Sequence, residues 1–295
     1  MHTFLLFLVS LIWGSTFFII KDTVTTVNES FIVFARTGIA FIALLAYNLI
    51  KNPKKIRQKR AFLYGTILGF LLASIYLSQT IGLKYTSTGH SAFITGSAVV
   101  IVPFLLFTLF KHQILRIDLV AVGIVVGGLF FLTYDIETDI NIGDIITLIT
   151  AFSLAFHIVF AQRFVKKADA GIIVLYQFMG AMVASLVAFL FTNPEIPQLS
   201  FSSGLSLLYL GFIGTLVCYF ITVWVQQFVP AIKVSIILAT EPIFAALCSY
   251  IFIHETLNLR EFIGASLILT GVIAHNWIKH RAAKERGKLN PESAN

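Results

Sequence analysis

Charge is scarce in this chain. Of 295 residues only 12% are Asp, Glu, Lys or Arg, while 58% are hydrophobic. Soluble globular domains carry about 25% charged residues, so a single soluble core does not fit. Cysteine is scarce too: Cys218 and Cys248 both fall inside apolar runs. Neither a disulfide framework nor a metal-ligand spacing can be built from them. Phosphate-cradling loops are absent, since no Lys-Ser/Thr pair follows the run from Gly123 to Gly128. His254-Glu255 opens like a zinc-protease motif, but Asn258 stands where the second histidine belongs. No catalytic residue, cofactor or metal is expected. Acids are fewer than bases, 14 against 21, which leaves a net charge of +7. The bases lie in short loops and the tail instead of along one face. That is membrane topology and argues against nucleic-acid binding.

What is present in excess is apolar sequence, including 29 phenylalanines that suit a lipid-facing surface. Ten apolar segments appear, at about 3–20, 31–50, 62–82, 91–110, 118–134, 143–162, 172–191, 204–227, 233–253 and 261–278. Each approaches the ~20 residues that span ~30 Å of hydrocarbon. Lipid cannot satisfy open backbone groups, so each span is expected to be helical. The expected fold class is an all-α integral membrane protein with ten transmembrane helices. The N-terminal run has no Lys or Arg ahead of it and no small-x-small cleavage site, so it reads as a retained first helix. The polar tail, 279–295, is expected to fray beyond its first turns.

Loop charges set the orientation. The 51–60 loop carries six bases and no acid, and Lys111, Arg116, Arg163, Lys166, Lys167 and the tail continue the pattern. The alternate loops hold Asp22 and Glu29, then Asp135, Glu137 and Asp139, then Glu195. Both termini are therefore expected in the cytoplasm, with the chain multi-pass in an inner or plasma membrane. The 228–232 loop is the weak point, with only Lys233 beside it.

The chain also repeats weakly. At a shift of 142 residues, 89–99 faces 231–241, and His112-Gln-Ile-Leu115 faces His254-Glu-Thr-Leu257. Near a shift of 141, Trp13-Gly-Ser-Thr-Phe17 faces Leu154-Ala-Phe-His-Ile158, and Arg36 faces Gln177. Identities are few, but segment and loop lengths run in parallel. The reading is two five-helix halves, 3–134 and 143–278, followed by a cytoplasmic tail, 279–295. Five is odd, so the second half enters from the opposite side. Inverted repeats of this kind build transporters with a site near the midplane.

Several motifs then carry a resemblance. They are Trp13-Gly14, Gln79-Thr-Ile-Gly-Leu-Lys-Tyr-Thr-Ser87, Ala92-Phe-Ile-Thr-Gly96, Pro103, Gly143-Asp144 with Ala155-Phe-His157, Glu241-Pro242, His254-Glu255-Thr-Leu257, and Gly264 with Gly271. In order and spacing the chain resembles the EamA-type transporters of the drug/metabolite transporter superfamily, over nearly its whole length. It departs where a glutamate often follows the fourth helix: here Lys111-His-Gln113 stands in the loop. The resemblance implies ten helices, cytoplasmic termini and a central cavity lined mainly by helices 1, 3, 4, 6, 8 and 9. It also implies transport, often outward, of small metabolites, amino acids or drugs.

Glu241 is the most conspicuous candidate, an acid followed by Pro242 inside an apolar run. Counting from Lys233 at ~1.5 Å per residue puts it ~12 Å deep. Intramembrane acids are expensive, at roughly 2.5–3.5 kcal/mol on insertion scales. Glu241 either binds a substrate amine or a proton, with Pro242 opening the backbone, or stays bonded to a neighbouring helix as packing. Arg36 lies ~7 Å inside the second segment, where it recognises a carboxylate, pairs with an acid or snorkels outward. His157 carries a proton or serves as packing, and His90 is read as interfacial.

The remaining expected lining follows helical spacing. Trp13 and Thr16 share a face, as do Tyr76 and Gln79, Ser91 and Thr95, and Tyr219, Thr222 and Gln226. Taken singly, each could be an interhelical hydrogen bond. As a set they point to a cavity wall for a small-molecule substrate. The glycines Gly123, Gly127, Gly128, Gly264 and Gly271, with Gly65 and Gly69, mark close helix packing. The fifth and tenth helices are thus packing or dimer elements, and the assembly is expected as a monomer or homodimer. The functional expectation is a secondary-active carrier in the lipid bilayer, with proton coupling through Glu241 or His157. A passive channel and, less well supported, a membrane-embedded enzyme are the alternatives.

Overall fold

The computed structural model describes residues 1–133, 141–192, 197–252 and 259–289. Asp135, Glu137, Asp139, Glu195 and the His254-Glu255 pair used above lie outside these residues, as does the end of the tail from Asn290. The described chain is helical throughout, with no strand among the described residues. Helices α1 (His2–Thr23), α2 (Glu29–Lys51) and α3 (Lys59–Tyr85) follow the first three apolar segments. The fourth segment is split into α4 (Thr88–Gly96) and α5 (Ala98–Phe110), and α6 (Arg116–Thr133) follows. In the second half, α7 (Ile142–Phe164) and α8 (Ala170–Thr192) are continuous. The eighth segment is α9 (Phe201–Gly211), a π-helical stretch (Phe212–Val217) and α10 (Cys218–Val225). The ninth is α11 (Ala231–Leu238) and α12 (Glu241–Phe252), and α13 (Leu259–Leu289) closes the fold.

Among the described residues nine helices are long and apolar enough to cross a membrane, counting each split segment as one. The expected segment at 118–134 corresponds to α6, 18 residues long and ending at the edge of the described residues. The backbone of the tail stays helical through its first turns, to Leu289. The tail is rich in Ala, Lys and Glu, all strong helix formers, and lacks proline before Pro291.

Local chemistry explains the ends. Asn28 caps α2 by accepting from Ser30 and Phe31 N–H groups. Asn141 and Asp144 form a reciprocal capping box on α7. Pro242 sits at the second position of α12, where the missing N–H costs nothing because first-turn donors have no intrahelical partner.

The bundle is held by close backbone approaches, since lipid removes the usual hydrophobic drive between helices. Gly65 and Gly69 of α3 press on the α8 backbone at Ile173, Gln177 and Gly180. Gly128 of α6 meets Gly264 of α13, and Gly271 packs on Val125. Gly123 and Gly127 do not join this seam: a Cβ there would meet nothing within 4 Å. They lie off the contact face, because one stripe of α6 can face α13 at a time. Large apolar side chains point outward, among them Phe4, Ile42, Phe70, Phe104 and Phe107.

Side-chain ties sort the helix ends into two faces. On one, His2 stacks on Phe228, Lys55 pairs with Asp169, Tyr176 donates to the Ile56 carbonyl, and Arg163 lies over Phe110. On the other, Lys21 donates to the Leu83 and Thr86 carbonyls and Lys84 pairs with Glu29. There Thr86 donates to Asp144, which also lies 3.6 Å from His90 Nδ1. The first face gathers the basic loops, including the 228–232 connection next to Phe228.

Candidate functional site

The fourth and ninth segments break at matching places. Ser97 separates α4 from α5, and Ala239 follows the last residue of α11; the two lie 142 residues apart (239 − 97). This is the shift at which the sequence repeats. Irregular backbone at membrane depth survives only where protein or a cavity surrounds it. Here a cavity does. One pocket runs between the breaks, bounded by Gly96, Ala98, Leu238 and Ala239, with Thr95 and Glu241 on its wall.

Thr95, Leu154 and Glu241 also line a second pocket, which adds Trp13, Thr16, Arg36, Ile75, Tyr76, Gln79 and Tyr219. Together these pockets form the centre of the bundle, fed by α1, α2, α3, α4, α5, α7, α10, α11 and α12. The second pocket has a cavity volume of about 20 Å³, room for roughly one water, so the site is contracted in this conformation.

Glu241 opens α12, so its carboxylate stands at the positive end of a helix dipole. That placement offsets part of the cost of burying it, at 8% exposure. Arg36 reaches the cavity from α2 and is 1% exposed, so it does not snorkel to the interface. Its Nε donates to Thr215 Oγ1 at 2.9 Å, and its guanidinium lies 3.7 Å from the centre of the Tyr76 ring. Stacking on an aromatic face is a favourable setting for a desolvated guanidinium.

The π-helical stretch holds this arrangement together. Wider turns leave backbone carbonyls available to other donors. The Gly214 carbonyl accepts from Trp13 Nε1 at 2.9 Å and lies 3.4 Å from Tyr76 Oη. Tyr76 Oη is also 3.2 Å from Thr215 Oγ1. Space around Gly214 is tight: a Cβ there would stand 3.0 Å from Thr16 Cγ2 and 3.4 Å from Arg36 Nη2. Trp13 and Tyr76 flank Tyr219, with ring centres 5.0 and 5.6 Å away.

The structure therefore brings Trp13, Thr16, Tyr76, Gln79, Thr95, Tyr219 and Glu241 onto one wall together with Arg36. It leaves Ser91, His157, Thr222 and Gln226 off that wall. His157 is fully buried behind Tyr219, edge-on at 5.3 Å, and its Nε2 donates to Gln177 Oε1 at 2.9 Å. Thr222 donates to the Cys218 carbonyl one turn back. Gln226 and Ser91 are buried. Pro242 follows Glu241 in the first turn of α12 without lining either pocket. His90 is buried beside Asp144 in the first turn of α4, at the second of the two faces.

Sequence reasoning did not single out Gly214 and Thr215. Their one signal is a Gly-Thr pair inside the apolar eighth segment, with Thr215 four residues before Tyr219 and so on the face already grouped as Tyr219, Thr222 and Gln226. Among the described residues no cluster of three His, Cys, Asp or Glu side chains forms a metal site.

Comparison with known proteins agrees with this architecture. The model of the EamA-like transporter family matches residues 2–134 and again 141–277. An uncharacterized transporter of Archaeoglobus fulgidus is 29% identical over 266 residues, spanning 90% of this chain and 82% of that protein. The uncharacterized transporter YdfC of Bacillus subtilis is 26% identical over 88% of this chain and 86% of its own. The uncharacterized inner membrane transporter YedA of Escherichia coli K12 is 26% identical over 91% and 88%. A solved crystal structure shares the fold, with a TM-score of 0.78, covering 95% of this chain and 98% of its own at 12% identity. The chain belongs to the EamA-like transporter family.

Proposed function

We propose that this membrane protein is a secondary-active carrier of small organic solutes, built from two inverted five-helix repeats, 3–134 and 143–278. It works by alternating access around the central cavity, probing it first from one face and then from the other. The observation that carries this reading is the cavity itself, set between two helices broken 142 residues apart. Packing supports the repeat. The α4–α5 pair lies on α7 as α11–α12 lies on α1, and α3 lies on α8 as α9 and the π-helical stretch lie on α2. The α2–α8 and α6–α13 contacts pair each element with its counterpart.

The same reading puts ten spans in a cell membrane, the inner membrane in a two-membrane cell, with both termini and the basic face toward the cytoplasm. Export is the proposed direction. Energy comes from a gradient, and Glu241 is the proposed proton site. Membership of a transporter family and the inner-membrane relative support the membrane and non-enzymatic parts of this reading.

Reconstituted protein tests it by solute counterflow against a panel of amino acids, nucleosides and lipophilic cations. A carrier shows saturable, trans-stimulated flux. Linear flux without trans-stimulation makes it a channel. For coupling, Glu241→Gln vesicles are given an imposed pH gradient. Loss of accumulation is expected; unchanged accumulation removes Glu241 from coupling.

A further inference from the structure

Arg36 holds a permanent charge in the interior, and four of its five N–H donors are unused. Nε is occupied by Thr215 and the ring face by Tyr76. Nη1 and Nη2 have no partner and are sealed from solvent. Ionic pairs among the described residues join Lys55 to Asp169, Lys84 to Glu29, His90 to Asp144 and His275 to Asp118. Arg36 and Glu241 enter none of these, although both line one cavity. Thr95 Oγ1, on the same wall, is also unpartnered. An unpaired buried charge is costly, so a site that keeps two apart is built for something that comes between them.

The chemistry of that ligand follows from charge and shape. The two Nη groups form the end of a planar fork that matches the two oxygens of a carboxylate. Ionised, Arg36 and Glu241 sum to zero. While Glu241 is ionised, a lone carboxylate or a lone cation would leave the cavity with net charge in a low dielectric, whereas a molecule carrying both leaves it neutral. The rest of the wall, Trp13, Ile75, Tyr76, Leu154 and Tyr219, is apolar or aromatic. We propose that the cavity selects a small zwitterion, its carboxylate seated on Nη1 and Nη2 of Arg36, its ammonium directed at Glu241, and its apolar remainder against the aromatic wall. This rests on the carrier reading above and names the substrate class for it. The ligand enters as the contracted cavity widens.

The test uses purified full-length protein in nanodiscs and calorimetric titration. The probes are phenylalanine, its methyl ester, phenethylamine and hydrocinnamate, which keep one skeleton and remove one charge at a time or both features of the carboxylate. The same four-way comparison on leucine and alanine skeletons covers smaller ligands. At least one zwitterion binds, and masking or deleting either charged group weakens binding by at least about tenfold, the equivalent of one charge-assisted hydrogen bond. In Arg36→Gln the gap between acid and ester closes; in Glu241→Gln the gap between the zwitterion and its deaminated acid closes. Arg36→Lys keeps the charge without the fork and falls between wild type and Arg36→Gln. The wild-type comparison stands alone if a variant does not fold.

Equal binding of the ester, the amine or the deaminated acid overturns the proposal, as does failure of every zwitterion to bind. Counterflow separates this from the carrier reading. Saturable flux of a nucleoside or lipophilic cation alone keeps the carrier and removes the zwitterion. Selective zwitterion binding without saturable flux keeps the site and removes the carrier.

Discussion

Gly14 of α1 and Glu241 of α12 meet backbone to backbone. A Cβ at position 14 would lie 2.9 Å from the Glu241 carbonyl oxygen and 2.8 Å from the Ala245 nitrogen. Neither atom can rotate away, so an added methyl must push the helices apart. Gly14→Ala is expected to cost about 1–3 kcal/mol as an overpacking change and to move Glu241 off the cavity wall. Thermal unfolding in mild detergent and counterflow measure the two effects. Gly204→Ala is the control, since a Cβ there meets nothing within 4 Å; equal behaviour of the two variants refutes the contact's importance.

Thr215 serves two partners, accepting from Arg36 Nε and lying within hydrogen-bond reach of Tyr76 Oη. Thr215→Val keeps the shape and removes both bonds. It should destabilise by about 1–3 kcal/mol, the cost of leaving a buried polar group unsatisfied, while Thr215→Ser retains most of the stability. If valine and serine variants melt together, the hydroxyl does not anchor Arg36.

The glycines of α6 should split into two classes. Gly128→Ala would put a Cβ 2.7 Å from the Gly264 carbonyl oxygen and should loosen the α6–α13 seam. Gly123→Ala enters open space and should be neutral or stabilising by up to ~1 kcal/mol through helix propensity. Melting temperatures of the two variants, compared side by side, decide the matter.

Far from the cavity, His275 of α13 donates from Nε2 to Asp118 Oδ1 of α6 at 2.8 Å, both essentially buried. Asp118 Oδ2 also accepts from the Leu115 N–H, tying the start of α6. His275→Phe removes one of the partners of the buried Asp118 carboxylate and should cost about 1–3 kcal/mol. Adding Asp118→Leu should return part of that loss. A double-mutant cycle with a coupling below ~0.5 kcal/mol would show the two sites to be independent.

Much of the architecture was legible because the bilayer is a demanding solvent. Apolar segments of one length, loops of alternating charge and a shift of 142 residues are written in one dimension. The same shift recurs as the spacing of the two helix breaks, although the sequence around Ser97 and Ala239 shows no shared proline. The site was legible only in part. Helical spacing correctly grouped Trp13 with Thr16 and Tyr76 with Gln79 on the cavity wall. It also grouped Ser91 with Thr95 and Tyr219 with Thr222 and Gln226, of which only Thr95 and Tyr219 line the cavity. A shared helical face says which residues look the same way. It does not say how far along the helix the cavity extends.

Arg36 marks the boundary between the two kinds of knowledge. By itself the sequence determined that a cation stands inside the second span, that an acid stands deep in the ninth, and that lipid forces both onto helices. Whether the arginine snorkels to the interface or turns inward depends on what lies beside it in space. That was decided by a π-helical stretch 179 residues away, where Thr215 takes Nε, and by the ring of Tyr76 beneath the guanidinium. The partners of a long, flexible cation are fixed by packing across helices, which no local pattern of residues encodes.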